Sequence, residues 1–126
     1  LSDLRGRWVV LFFYPRDFSP VCTKQACAFR DSMPRLLAKG AAVFGVSGDD
    51  AQSHRGFAER HALPYPLLSD ADGSLAAQLG VKRRLFGLLP GRETIVIDPE
   101  GRVAMVYRST LGGEEHAARA AAAIEG

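Results

Sequence analysis

The seven residues from Trp8 to Tyr14 form an unbroken apolar and aromatic run, Trp-Val-Val-Leu-Phe-Phe-Tyr. Successive side chains of a strand point to opposite faces, so a run with no polar member reads as a strand buried on both faces. It belongs at the centre of a sheet rather than at an edge. Pro15 ends it, because proline cannot donate to a strand ladder. A loop, Arg16 to Ser19, follows, and Pro20 supplies the fixed φ favoured where a helix begins.

The rest of the chain is read against that strand. From about Cys22 to Lys39 the apolar positions Cys22, Ala26, Phe29, Met33, Leu36 and Leu37 trace one helical face. Pro34 lies inside the pattern and is expected to kink or split the helix, and Gly40 to stop it. Ala41 to Val46 reads as a second buried strand. Asp49 or Asp50 is expected to cap a helix over about 51–61. Tyr65 to Leu68 is a short strand, and Ser74 to Leu79 a short helix closed by Gly80. Strands over 93–98 and 102–107 are joined at Pro99-Glu100-Gly101 as a hairpin. Glu114 to Ile124 is alanine-rich, with two glutamates at its start, which suits a helix N-terminus. The order β-α-β-α-β-α-β-β-α implies a parallel part followed by an antiparallel hairpin. The expected fold is α/β, a thioredoxin-like three-layer sandwich with a central mixed sheet.

Composition narrows the function classes. A length of 126 residues fits one domain, 1–126. Apolar residues at 47% and charged residues at 24% are an ordinary globular balance. A net charge of +2 is too small to argue for nucleic acid or an acidic membrane surface. No apolar run approaches the length of about 18 residues that spans a membrane. No leader is visible, since the first eight residues already lead into a strand. The chain begins at Leu1 rather than Met, which leaves open an upstream piece and a targeting segment with it. Two cysteines are too few for a disulfide scaffold, and with three scattered histidines (His54, His61, His116) they do not form a structural zinc pattern. The cysteines are therefore either inert core residues or chemistry.

Cys22 follows the strand–loop junction and falls in the first turn of its helix. Free backbone N–H groups and the helix dipole stabilise an anion there. A free thiol of pKa ~8.5 is about 3% thiolate at neutral pH, and a shift to ~6 gives about 90%. Peroxide reduction needs that anion, which attacks one oxygen and expels the other. From position alone a small buried hydrophobe on the core face is an equal reading.

The stretch Tyr14-Pro15-Arg16-Asp17-Phe18-Ser19-Pro20-Val21-Cys22-Thr23 resembles the peroxiredoxin signature of Pro, three residues, Thr or Ser, two residues, then Cys. Cys27 lies five residues on, as the resolving cysteine does in the PrxQ/bacterioferritin-comigratory-protein branch of the AhpC/TSA superfamily. The run from Gly91 to Gly101 is similar to the family's arginine-strand-turn segment, and Leu1 to Trp8 to its lead-in. The resemblance covers nearly the whole chain. It departs at Gln25, where members commonly carry Glu, and at Ser19, the less common alternative to Thr. The family's N-terminal hairpin would precede Leu1 and is expected to be missing.

The resemblance implies the roles. Cys22 is the peroxidatic nucleophile, Arg92 lowers its pKa and holds the peroxide oxygens, Ser19 hydrogen-bonds the peroxide, and Pro15 shields the thiolate from water. Backbone N–H groups near Val21 and Cys22 complete a preorganised electrostatic site. Without the motif, Arg92 is a solvated strand-edge arginine, Ser19 a helix cap and Pro15 a strand terminator. Attack leaves Cys22 as a sulfenic acid, which Cys27 condenses with to form an intramolecular disulfide. On a regular helix Cα atoms five residues apart are roughly 8–9 Å apart, beyond the ~7 Å that a disulfide tolerates. The first turns, about residues 20–28, are therefore expected to melt during turnover. Cys27 as an incidental surface thiol is the alternative.

The expected activity is reduction of hydrogen peroxide or alkyl hydroperoxides, with thioredoxin or a similar dithiol as reductant, in a cytoplasmic monomer. No cofactor, metal, nucleic acid or membrane enters it. The alternatives are a thiol-disulfide sensor with little turnover and a thioredoxin-like domain with structural cysteines. The chain lacks a Cys-x-x-Cys pair, which argues against disulfide exchange as its main task. Asp70-Ala71-Asp72-Gly73 is similar to the start of a calcium loop but lacks the later ligands, and reads as a turn. Lys82-Arg83-Arg84 reads as a solvated basic patch. Leu85 to Leu89 reads as an apolar loop that packs on the core, lines a pocket rim or forms a subunit contact. His54 and His61 share a helix and are assigned structural or surface roles.

Overall fold

The computed structural model describes residues 6–14, 17, 20–70, 83–84, 89–90, 93–108 and 113–125. Its elements are β1 (Val9–Phe13), α1 (Pro20–Ala38), β2 (Ala42–Ser47), α2 (Ala51–His61), β3 (Leu67–Ser69), β4 (Arg83–Arg84), β5 (Leu89–Pro90), β6 (Glu93–Ile97), β7 (Val103–Arg108) and α3 (Gly113–Glu125). Five strands form one sheet in the order β3-β2-β1-β6-β7. β1 runs parallel to β2, and β2 to β3, while β6 is antiparallel to both β1 and β7.

The Trp8–Tyr14 run behaves as its composition requires. β1 is the central strand and all five of its residues are buried. Its even-numbered side chains, Val10, Phe12 and Tyr14, join Phe29, Met33 and Leu36 of α1 and Ala117, Ala120 and Ile124 of α3 in one core. Phe12 stacks on Phe29 at 4.3 Å between ring centroids and meets Tyr65 edge-on. Its odd-numbered side chains, Val9, Leu11 and Phe13, build a second cluster with Val46, Ile95 and Ile97 on the other face. With both faces buried, the sheet is the middle layer of the thioredoxin-like sandwich. Burying a large apolar side chain stabilises by about 1.5–3 kcal/mol, so this one strand carries much of the fold. Gly45 of β2 leaves room for it: a Cβ there would lie 2.8 Å from the Phe12 ring and 2.7 Å from Leu67.

α1 runs uninterrupted through Pro34, so the expected split does not occur. Met33 and Leu36, on either side of the proline, stay buried, while Pro34 itself faces out. That packing outweighs the one helix hydrogen bond that proline removes. The helix stops as expected. Gly40 adopts φ +71°, and the amides of Gly40 and Ala41 reach back to the carbonyls of Leu37 and Leu36. Asp50 caps α2 by accepting from the Ser53 amide at 2.8 Å. The β6–β7 hairpin turns at Asp98, whose carboxylate accepts from the amides of Glu100 and Arg102.

Two readings shift. The third strand begins at Leu67 rather than Tyr65, because the Tyr65 side chain is buried under α1. β4 and β5 form a separate two-stranded ladder, Arg83 opposite Pro90 and Arg84 opposite Leu89, a strand pairing that the readings of 82–84 as a basic patch and 85–89 as an apolar loop did not include. The helix expected over Ser74–Leu79 and residues 85–88 of the apolar loop lie outside the described residues.

Candidate active site

The sheet order changes direction at β1. From β1 the chain crosses through α1 to β2 on one side, and β6 lies on the other. Ligand sites of open α/β sheets form outside the carboxyl ends of strands at such a point. Phe13, at the carboxyl end of β1, pairs with Glu93 at the start of β6. The residue before Glu93 is Arg92, and the connection after Phe13 leads into α1.

Cys22 is the third residue of α1 and Cys27 the eighth, both on one continuous helix. The first-turn position predicted for Cys22 is thus met by the backbone, where amides lack helical partners. Its thiol, and all of Pro15, Ser19 and Arg92, lie outside the described residues. Cys27 carries a free, half-buried thiol. With Lys24, Ala28 and Asp31 it lines a surface hollow of about 420 Å³. One residue earlier, the Ala26 carbonyl accepts a 2.6 Å hydrogen bond from the buried Tyr65 hydroxyl. Burial, with the Cys27 sulfur nearby adding to it, pushes the Tyr65 phenol far up, so Tyr65 stays a neutral donor. Arg30 donates from Nη1 to the His61 carbonyl at 2.8 Å and from Nε to Asp31 at 3.0 Å.

Upstream of Cys22 the structure shows a polar network that sequence reasoning missed. Asp17, 3% exposed, sits in the β1–α1 connection. Its carboxylate accepts from Tyr14 Oη at 2.6 Å, Ser53 Oγ at 2.9 Å and His54 Nδ1 at 2.8 Å. Its amide donates to Asp49 Oδ2 at 2.7 Å, and that oxygen also accepts from Ser47 Oγ at 2.7 Å. His54 Nε2 points at the Leu68 carbonyl at 3.1 Å. Burial pushes the Asp17 carboxyl up, but the bonds from His54, Tyr14 and Ser53 outweigh it and hold it below the usual range. Burial pushes His54 down, but its bond to Asp17 and the charges of Asp17 and Asp49 outweigh that and hold it above its usual value. Burial and the Asp17 carboxylate push the Tyr14 phenol far up, so it too remains a donor.

Asp17, Asp49 and His54 offer ligand atoms within 4.8 Å of one another, a spacing that suits a cation. The three groups already satisfy one another and their neighbours through hydrogen bonds, so the cluster reads as structural. One sequence signal marked His54 as buried, though not its partners. His54 is three residues before Phe57 on α2, and that spacing puts both on the buried face.

The comparisons with known proteins agree with this geometry. The family model described as "AhpC/TSA family" matches residues 1–106. A chloroplastic peroxiredoxin Q of Triticum aestivum is 50% identical over 116 residues, 92% of this chain and 54% of the relative. The chain therefore spans about half the length of the curated relatives it matches. Peroxidoxin BcpB of Mycobacterium tuberculosis superposes with a TM-score of 0.89 at 44% identity, over 97% of this chain and 80% of that one. The bacterioferritin comigratory protein of Xanthomonas campestris, solved in trapped intermediate and ligand complexes that concern its alkyl peroxide reduction, gives 0.89 at 32% identity, over 99% and 82%. One expectation is overturned. Eight curated relatives at 48–50% identity are named chloroplastic, which overturns the cytoplasmic expectation. The cytoplasmic reading rested on reduced thiols and an unseen leader, and neither distinguishes the two compartments. With its motif, fold and relatives in agreement, the chain belongs to the AhpC/TSA family, on the peroxiredoxin Q/bacterioferritin comigratory protein branch.

Proposed function

We propose that the chain is a single-domain thiol peroxidase in which Cys22 is the peroxidatic and Cys27 the resolving cysteine. The observation that carries this reading is the position of Cys22 in the first turn of α1, the helix that follows the carboxyl end of the central strand, whose last residue, Phe13, pairs with Glu93 at the start of β6. Unpaired amides and the helix dipole favour the thiolate there. Arg92, one residue before β6, adds a cation, and Ser19 and Pro15 contact the peroxide and exclude water.

The thiolate sulfur attacks one oxygen of a hydroperoxide, and the O–O bond breaks. The second oxygen leaves as water or an alcohol after taking a proton, and Cys22 is oxidised to the sulfenic acid. The Cys27 thiolate then attacks the Cys22 sulfur, forms the S–S bond and expels the hydroxyl as water. An external dithiol, thioredoxin or a similar protein, returns two electrons by exchange. The substrates are hydrogen peroxide and alkyl hydroperoxides, and the protein works as a monomer. Both cysteines lie on one helix that is too long between them for a disulfide, so residues 20–28 unwind for the second step. The free, half-buried Cys27 thiol beside a surface hollow supports this reading.

Stopped-flow oxidation by peroxide, with thioredoxin-coupled turnover, tests it. Cys22→Ser loses all peroxide reactivity. Cys27→Ser keeps the first oxidation and loses turnover. Equal peroxide reactivity in Cys22→Ser and the parent would overturn the assignment.

A further inference from the structure

The ring of His54 has an acceptor on each side. Nδ1 faces the Asp17 carboxylate and Nε2 the Leu68 carbonyl. A carbonyl only accepts, and the Asp17 oxygen facing Nδ1 already accepts from Ser53. Both ring nitrogens must then donate, which makes the ring an imidazolium. It is 4% exposed and Asp17 is 3% exposed, so this is a buried ion pair.

Buried pairs set geometry more surely than they add stability. Asp17 is two residues from Pro15 and two from Ser19, within a connection of six residues between β1 and α1. With its carboxylate held at three points and its amide at a fourth, the middle of that connection is fixed to β1, α2 and the β2–α2 link at once. A residue two positions along the chain has its Cα within about 7.6 Å of that fixed point, because consecutive Cα atoms are 3.8 Å apart.

We infer that His54 is a positioning residue for the peroxide reaction: its ring holds Asp17, and through Asp17 the β1–α1 connection, in whose sequence Pro15 and Ser19 stand two residues to either side. The inference deepens the peroxidase reading and rests on it. Among the described residues, the charged groups acting on His54 are Asp17 from the β1–α1 connection and Asp49 from the β2–α2 link. β3 contributes the Leu68 carbonyl, and Tyr14 of the β1 end bonds to the far oxygen of Asp17. These favour the charged form of the ring and hold its pKa above the usual value. The clamp is lost as pH rises through the raised value of His54, when Nε2 or Nδ1 gives up its proton.

The test uses the full-length protein with Cys27→Ser, so that Cys22 is the single reactive thiol. Peroxide oxidation and iodoacetamide alkylation are followed across pH, with and without His54→Gln. Misplacing reacting groups by about 1 Å costs up to ~100-fold. The expected result is a peroxide rate about 10- to 100-fold lower in His54→Gln, with alkylation changed less than about twofold. The alkaline fall in the parent's peroxide rate should vanish in the variant. Peroxide rates within about twofold of the parent at every pH would overturn the inference. If His54→Gln does not fold, ¹⁵N NMR of the parent decides. Two protonated ring nitrogens at neutral pH, lost in step with the peroxide rate, support the inference, and a neutral ring overturns it. A parent that reacts with no peroxide overturns the peroxidase reading itself, a different outcome from an active parent with an equally active variant.

Discussion

The two sides of the first turns of α1 are held in different ways. Before Cys22, Asp17 is buried and takes part in four hydrogen bonds, one of them with the buried His54 ring. After Cys22, the helix is held by the Tyr65 hydroxyl on the Ala26 carbonyl and by Arg30 on the His61 carbonyl, with Cys27 half-buried beside a hollow. A buried charged network is costly to open, whereas a net hydrogen bond of a neutral group is worth about 1 kcal/mol. In the proposed cycle the upstream side must stay fixed for peroxide attack, and the downstream side must open for the disulfide. The distribution of strong and weak anchors matches that division.

The largest break in the comparison is to remove the charge that the upstream side depends on. Asp17→Ala leaves the buried His54 ring and the Tyr14 and Ser53 hydroxyls without their shared acceptor, and about 3–5 kcal/mol of stability should be lost in urea unfolding. A loss below about 1 kcal/mol would mean the pair is not the anchor described.

The pH dependence of stability sharpens the same side. Asp17 has a lowered folded value, so its contribution is present above the unfolded value of ~3.9 and is lost as pH falls through the folded one. His54 has a raised folded value, so its contribution is present below ~6.5 and is lost as pH rises through the folded one. The stability difference between the parent and His54→Gln should therefore be greatest between about pH 4 and 6.5 and shrink on both sides. A difference flat across that range and beyond it would separate His54 from the clamp.

Downstream the effects should be smaller. Tyr65→Phe removes one hydroxyl from the Ala26 carbonyl, which keeps its place in the helix, and should cost about 1 kcal/mol. It should also speed disulfide formation after Cys22 is oxidised, read as the second phase of stopped-flow fluorescence. An unchanged second phase would mean Tyr65 does not restrain the opening. The smallest expected effect lies outside both anchors. Ala62 ends α2 with φ 51°, a left-handed conformation that costs a non-glycine residue about 1 kcal/mol. Ala62→Gly should raise Tm slightly and leave both phases unchanged.

What the sequence disclosed depends on how local each signal was. β1 was legible because a run of seven apolar residues has one way to be buried, and the Asp50 cap because it acts within three residues. The start of α1 at Pro20, and with it the place of Cys22, followed from the same kind of local rule. Of the kink or split expected at Pro34, the split does not occur, because burial of Met33 and Leu36 against the sheet overrides local propensity. Tyr65 read as strand because its apolar ring was counted and its hydroxyl was not. The Asp17–His54 pair was invisible for a simpler reason. Its partners are 37 residues apart, and nothing in either segment names the other. Pairing across that distance is fixed only when β1 and β2 lie side by side and bring both loops to one end of the sheet.

The account depends on a sulfur anion at the start of α1, so the most direct measurement is the ionisation of Cys22 in Cys27→Ser, followed by the ultraviolet absorbance of the thiolate. It predicts a midpoint well below the ~8.5 of an ordinary thiol, with peroxide reactivity rising along the same curve. A midpoint at or above ~8.5 would contradict it.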